Sequence, residues 1–76
     1  MEATATGYAV ITERAEDGGF GASSPDLPGC VSTGRSYEEC VNNMREAVSF
    51  HLDGLREDGL AVPEPSAVGA LTIDAA

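Results

Sequence analysis

The stretch that decides the fold is SPDLPGCVSTGRSYEECV, residues 24–41, in which a proline-rich corner leads into the start of a helix. Pro25 and Pro28 have no amide hydrogen, so they fit the edge or corner of a sheet better than a central strand. Pro28 and Gly29 are typical of the two central positions of a type II turn, the second of which needs a positive φ. The sequence therefore predicts a rigid reversal, Pro25-Asp26-Leu27-Pro28-Gly29-Cys30, followed by a short strand over 30–33.

A helix is predicted directly after this corner. Ser36 and Glu39 have the spacing of a capping box, in which the serine oxygen accepts the Glu39 amide and the carboxylate reaches back to the Ser36 amide. Nine apolar or semi-polar side chains then recur within a sector of about 140° at 100° per residue. They are Tyr37, Cys40, Val41, Met44, Ala47, Val48, His51, Leu52 and Leu55. We expect a core-facing helix of roughly 20 residues that Gly59 ends in the left-handed conformation.

Phe50 lies about 120° from the centre of this apolar stripe. A phenylalanine there is either a satellite core contact or an anchor of an interface, and we favour the interface. The sequence thus offers Phe50 as a candidate residue of an oligomer interface.

Strands are predicted on both sides of the corner and helix. Residues 7–13 are rich in β-branched and aromatic side chains, and a glycine-bearing turn at 15–19 leads to a second, antiparallel strand over 20–24. A last strand is predicted over 68–73, with Leu71 and Ile73 on one face. The order β-β-β-α-β gives an α+β fold in which one helix covers one face of an antiparallel sheet of three or four strands.

Length and charge limit the classes of function. A chain of 76 residues makes one domain, 1–76, and buries so little surface that self-association as a homodimer or homotetramer is expected to stabilise it. The net charge of −9, from thirteen acids against four arginines, disfavours direct binding of nucleic acid and favours a basic partner. No signal peptide or membrane span is recognisable, which predicts a cytoplasmic protein with free thiols.

A catalytic or metal site is not indicated. A nucleophilic cysteine needs a base within reach, but Cys40 lies roughly 16 Å along the helix from the one histidine, His51, and Cys30 is expected to be as far away. One histidine and two separated thiols match no zinc spacing, and no calcium loop or nucleotide-binding motif occurs. We expect Cys30 and Cys40 to be packing residues, and the chain to be no enzyme and to hold no metal or cofactor.

These motifs together resemble those of the HicB-like antitoxins, a family of type II toxin–antitoxin systems. The most specific part is the run from Ser24 to Cys30, placed between a hairpin and a helix. The other matching parts are residues 8–11, 16–20, 33–34, Glu38-Glu39, Ala47, 52–55, Gly59 and 62–65.

The resemblance implies a compact domain often called partial ribonuclease-H-like, without that enzyme's catalytic acids. It also implies a partner, a small basic HicA-type toxin that cleaves messenger RNA, whose RNA-binding and active site the domain masks. Many members add a C-terminal DNA-binding segment, and this sequence has the form expected of a short member without one. Autorepression by this chain alone is therefore not expected.

Acidic side chains are the candidate contacts to such a partner, because they would cover its basic surface with the opposite potential. The candidates are Glu16, Asp17, Asp26, Glu38, Glu46, Asp53 and Glu57. The sequence does not rank them, and solvated surface charge is the alternative for each. A solitary oligomeric module with a regulatory or scaffolding role, and no toxin, is the alternative for the whole chain.

Overall fold

The computed structural model describes residues 7–75. Three strands, β1 (Ile11–Arg14), β2 (Phe20–Ser23) and β3 (Val31–Gly34), precede one helix, α1 (Tyr37–Glu57). The strands form an antiparallel sheet in the order β1-β2-β3, so β1 and β3 are its edges. This is the predicted α+β class, with one helix on one face of the sheet.

The register of the sheet decides which side chains face the helix. Ala22 of β2 lies opposite Thr12 on one side and Ser32 on the other, and these three share the face under α1. Ile11, Ser23 and Val31 form the neighbouring row, which points to the open face. Both Ile11 and Val31 are exposed, so nothing among residues 7–75 covers this second face.

The core between sheet and helix is small. Among the described residues, its buried apolar side chains are Ala22, Leu27, Cys30, Cys40 and Met44. Tyr8, Val10, Phe20, Ala47, Val48 and Leu52 pack against them and are partly buried. The helical stripe is therefore confirmed along most of its length, whereas Tyr37 at the first helical position is exposed and contacts the Phe20 ring edge-on at 6.5 Å.

The corner adopts the predicted turn. Gly29 has a φ of 84°, and the Cys30 amide donates to the Leu27 carbonyl at 3.1 Å, as a type II turn over 27–30 requires. Leu27 is fully buried, so the turn also delivers a side chain to the core. Because the Cys30 amide is used in the turn, β3 begins one residue later than predicted and extends to Gly34.

The first strand is shorter than the sequence predicts. Its pairing ends where Ile11 faces Ser23, because the next residue of the partner, Ser24, already accepts the Leu27 amide in the corner. Residues 7–10 therefore run beside the sheet without a partner strand, while Tyr8 and Val10 still pack against the core. For the same reason β2 ends at Ser23 rather than at Ser24.

Both helix ends are closed by hydrogen bonds. At the start, the Ser36 side chain accepts the Glu39 amide at 3.0 Å, whereas the Glu39 carboxylate accepts the Arg35 amide and not, as predicted, that of Ser36. At the end, Gly59 has a φ of 70° and the Leu60 amide donates to the Leu55 carbonyl, which is a Schellman motif.

Close backbone approach ties α1 to β3. A Cβ atom on Gly34 would lie 2.5 Å from the backbone nitrogen of Cys40, so only glycine fits there. Ser32 Oγ donates to the Cys40 carbonyl at 3.0 Å, and Asn43 Nδ2 donates to the Thr33 carbonyl at 2.9 Å. These contacts fix the helix over one edge of the sheet.

The predicted fourth strand is wrong. Residues 68–73 are irregular and pair with neither edge of the sheet, so the described order is β-β-β-α. The chain before them is held at the corner by the hydrogen bonds between Asp26 and Ser66. In the part of the chain that the structure describes, no helix is both long and apolar enough to traverse a lipid bilayer.

Candidate partner-binding surface

Three of the predicted contact residues come together on the solvent side of α1. Glu46, Asp53 and Glu57 are exposed and fall within a sector of about 40° at 100° per residue. They span roughly 16 Å of the helix axis, and we call them the acidic helix face. Three carboxylates aligned along a rigid helix form a surface that suits a basic partner.

The acidic helix face keeps its negative charge despite one ion pair. Arg56 Nη1 lies 3.4 Å from Asp53 Oδ1, but both side chains are more than half exposed. An exposed pair of this kind contributes little and is easily exchanged for another partner. Asp53 is therefore available to an incoming cation.

A second acidic group lies at the β1–β2 hairpin, whose tip contains Glu16 and Asp17. Asp17 Oδ1 accepts the Gly19 amide at 2.9 Å, and Gly18 takes a φ of 91° to close the turn. Asp17 therefore has a structural role in the turn, whereas Glu16 is exposed. Glu38 is exposed in the first turn of α1, where its charge favours the helix dipole.

Asp26 is occupied within the molecule. Its Oδ2 accepts the Ser66 amide at 2.8 Å and its Oδ1 accepts the Ser66 hydroxyl at 2.7 Å. The hydrogen bonds from the Ser66 amide and hydroxyl lower the pKa of the Asp26 carboxyl from its usual value, against a smaller opposing effect of burial. The structure thus separates Asp26 from the other acidic candidates.

These hydrogen bonds fasten residues 60–67, which we call the strap, across one end of the sheet. The Tyr8 hydroxyl donates to the Pro63 carbonyl, and Asp26 holds Ser66. Sequence reasoning missed both contacts, because they join residues 55 and 40 positions apart, beyond the reach of any local pattern. The strap connects α1 to the exposed residues that follow.

A groove lies between α1 and the start of β3, and we call it the β3 groove. It measures about 420 Å³ and is lined by Gly29, Cys30, Val31, Ala47, Phe50, His51, Gly54 and Leu55. Cys30 and His51 therefore lie on one groove, which corrects the prediction that they would be far apart. The corner folds back under the C-terminal half of the helix, and the helical spacing alone could not indicate this.

The Cys30 thiol lacks the features of an activated nucleophile. It is buried, and burial raises its pKa, whereas a nucleophile needs a lowered one. Cys40 is fully buried, and both thiols are free. Within residues 7–75, no three histidine, cysteine or acidic side chains cluster in a way that could hold a metal ion.

Phe50 lies between the β3 groove and the acidic helix face. Its side chain is 82% exposed, which is unusual for a phenylalanine on a helix whose other face packs against a core. Fold and surface together define a class: a small α+β protein that presents carboxylates and one exposed aromatic ring from a rigid helix.

Comparison with known proteins identifies the family. A family model described as HicB_like antitoxin of bacterial toxin-antitoxin system matches residues 8–75. The N-terminal domain of Burkholderia pseudomallei antitoxin HicB, solved by crystallography, is similar with a TM-score of 0.69 and 30% identity, over 78% of this chain and 71% of that one. The chain belongs to the HicB-like antitoxin family, as its motifs predicted.

Curated relatives agree with this assignment. An uncharacterized 14.9 kDa protein of Haemophilus phage HP1 is 38% identical over 80% of this chain, and a UPF0150 protein of Helicobacter pylori is 47% identical over 67%. Antitoxin HicB 1 of Photorhabdus laumondii is 31% identical over 88% of this chain. The match covers 45% of the phage protein and 43% of the Photorhabdus antitoxin, against 69% of the Helicobacter protein.

Proposed function

We propose that this chain neutralises a small basic HicA-type toxin by covering the toxin's RNA-binding and active site. Membership of the antitoxin family supports a toxin as partner. The observation that carries the proposal is the acidic helix face, where Glu46, Asp53 and Glu57 are exposed on one side of a rigid helix. A surface that binds RNA phosphates is basic, and opposed carboxylates compete with those phosphates for it.

The acidic helix face is a better candidate than the other acidic residues. Asp26 already accepts two hydrogen bonds from Ser66, and Asp17 accepts one from Gly19. Part of the acceptor capacity of each of these two carboxylates is therefore already used within the subunit. The helix carboxylates keep their geometry when a cation approaches, so less ordering is needed on binding.

The chain acts by obstruction and not by catalysis in this proposal. It works in the cytoplasm as one domain over residues 1–76, in a homodimer or homotetramer whose interface includes Phe50. The small core of the subunit and the exposed ring of Phe50 support self-association. Cys30 and His51 have no chemical role, so the variant with both Cys30→Ala and His51→Ala should neutralise toxin as the wild type does.

The test is co-expression with a HicA-type toxin, preferably any small basic protein encoded next to this gene, scored by cell growth and by cleavage of messenger RNA. Wild-type chain should restore growth and should be recovered in complex with the toxin. Failure to restore growth, with no complex formed, would reject the proposal. A neighbourhood with no such reading frame would favour a solitary regulatory or scaffolding module instead.

Two charge-matched triple variants locate the contact. Glu46→Arg, Asp53→Arg and Glu57→Arg remove the acidic helix face, and the control triple carries arginine at Glu13, Asp58 and Glu64, which are exposed and not among the candidate contacts. Each triple changes the net charge from −9 by +6 to −3. We expect the first to lose neutralisation and the control to retain most of it. Equal loss in both would show that total charge, and not this face, governs binding.

A further inference from the structure

Few hydrogen bonds hold the strap to the rest of the subunit. In the described part of the chain, no backbone–backbone hydrogen bond reaches residues 61–67. Two side chains hold the strap instead. The Tyr8 hydroxyl donates to the Pro63 carbonyl. The Asp26 carboxylate accepts the amide and the hydroxyl of Ser66. A segment held by so few bonds has a low local stability.

The two contacts are close together along the strap. Pro63 and Ser66 are three residues apart, and Pro65, which lies between them, has a fixed φ. Residues 63–67 alternate between half-buried and exposed, as an extended chain lying along a surface does. A spacer this short and stiff cannot leave one contact without disturbing the other.

Residues 7–10 are also loosely held. They have no strand partner in the described structure, and Tyr8 and Val10 form one wall of a cleft of about 300 Å³ whose other wall is α1. Side chains beside such a cleft lack contacts on one side. The hydrogen bond from Tyr8 to Pro63 joins this run to the strap, so the two segments stabilise each other.

A buried hydroxyl at this end of the sheet has no partner. Ser24 is 5% exposed, and its Oγ has no hydrogen-bond partner among residues 7–75. Ser24 follows Ser23, which pairs with Ile11, so it lies beside residues 7–10. A buried hydroxyl without a partner destabilises the closed arrangement, and water that reached it on opening would remove this cost.

We propose that residues 7–10 and the strap form a latch, which opens and closes in one step while the sheet and α1 stay folded. Tyr8 and Asp26 are its two fasteners. Opening frees the Asp26 carboxylate from Ser66, so a cationic partner that binds Asp26 would favour the open state. This last consequence rests on the proposed function, whereas the latch itself does not, and the free chain is enough to test it.

Hydrogen exchange of the full chain, followed by NMR, tests whether the latch opens apart from the core. The Ser66 amide reports on the latch, and the Met44 amide reports on the buried face of α1. Low concentrations of urea should accelerate exchange at Met44 and leave exchange at Ser66 nearly unchanged, because opening the latch exposes little surface. The same dependence on urea at both amides would contradict the proposal.

Tyr8→Phe tests whether the two fasteners act together. Tyr8 bonds to Pro63 and not to Ser66, so two independent contacts predict no change at the Ser66 amide. The latch predicts that this amide exchanges about fivefold faster, which is the effect of one ordinary hydrogen bond on an equilibrium constant. Tyr37→Phe removes an exposed hydroxyl at the start of α1, so this matched control should leave exchange at Ser66 unchanged.

Ser24→Ala should act in the opposite direction. It removes the hydroxyl that opposes closure, so the Ser66 amide should exchange several-fold more slowly than in the wild type. Equal exchange rates of the Ser66 amide in the wild type, Tyr8→Phe and Ser24→Ala would overturn the latch.

Discussion

Two glycines shape this fold through backbone conformations and close contacts that only glycine allows. Gly34 allows the start of α1 to touch β3, and Gly29 permits the reversal that buries Leu27. In a subunit with so small a core, such close contacts carry a large share of the stability. Adding a single Cβ atom at Gly34 should therefore lower the stability of the subunit more than most surface substitutions do.

Gly34→Ala should destabilise the subunit by about 3 kcal/mol, because the added Cβ would meet the Cys40 backbone at 2.5 Å and backbone cannot move aside cheaply. Gly54→Ala is the matched control, since nothing lies within 4 Å of its added Cβ. In a helix that change should stabilise by about 0.5–1 kcal/mol. Urea unfolding of both variants measures the difference, and equal stabilities would contradict the packing described here.

Attachment of the strap should depend on pH through Asp26. Hydrogen bonds from Ser66 lower the folded pKa of this carboxyl below its usual 3.8, so the carboxylate stabilises the folded state above that pH. The contribution is lost as the pH falls through the lowered folded pKa. The Ser66 amide resonance, followed by NMR, should shift in that acidic range.

Asp26→Asn is the control for this titration. An asparagine offers one oxygen to two Ser66 donors, so the Ser66 amide should exchange with solvent faster and its resonance should no longer follow the titration of residue 26. A Ser66 shift that is the same in both proteins would assign the titration to another group.

At the scale of elements, α1 has the clearest sequence signals. Its N-cap at Ser36 and its Schellman motif at Gly59 were both expected from residue types, and both formed. Local rules suffice because the partners lie within five residues of each other. Only the partner of the Glu39 carboxylate differs, by one residue.

Ser36→Ala should reduce stability by about 1 kcal/mol, because the Glu39 amide would lose its acceptor at the helix start. Ser49→Ala changes the same residue type at an exposed position in the helix interior. There alanine is the better helix former, so we expect a gain of about 0.5 kcal/mol. Thermal unfolding followed by circular dichroism compares the two, and a loss in both would show that Ser49 has an unrecognised contact.

The whole molecule combines strong negative charge with local uncharged apolar surface. These two properties favour different contacts: the carboxylates favour a basic protein, and the apolar surface favours contact without charge, such as the proposed self-association. The salt concentration should affect these two kinds of contact differently. Charges further apart than the Debye length, about 10 Å at 0.1 M and about 3 Å at 1 M, no longer interact appreciably.

Raising the salt concentration should therefore weaken toxin binding and strengthen self-association. The first relies on attraction between unlike charges, and the second on apolar contact between subunits that repel each other. Titration calorimetry of the complex and sedimentation of the free chain measure the two trends, each from about 0.05 to about 0.5 M salt, over which the Debye length falls about threefold. Trends of the same sign would contradict the separation of the two surfaces.

The sequence by itself determined the local parts of this protein: the type II turn at Pro28-Gly29, the capped helix and the hairpin. Each depends on residues close together in the chain, where glycine, proline and helical period act directly. It also identified the family, because the corner motif is specific. The acidic character needed no structure either, since charge can be counted.

Only the tertiary structure determined which residues far apart in the sequence contact each other. It joined Asp26 to Ser66, brought Cys30 and His51 to one groove, and left residues 68–73 outside the sheet despite their strand-like composition. Strand pairing and side-chain contacts over 40 residues depend on where the intervening chain is held. That position follows from packing across the whole molecule, which no local pattern encodes.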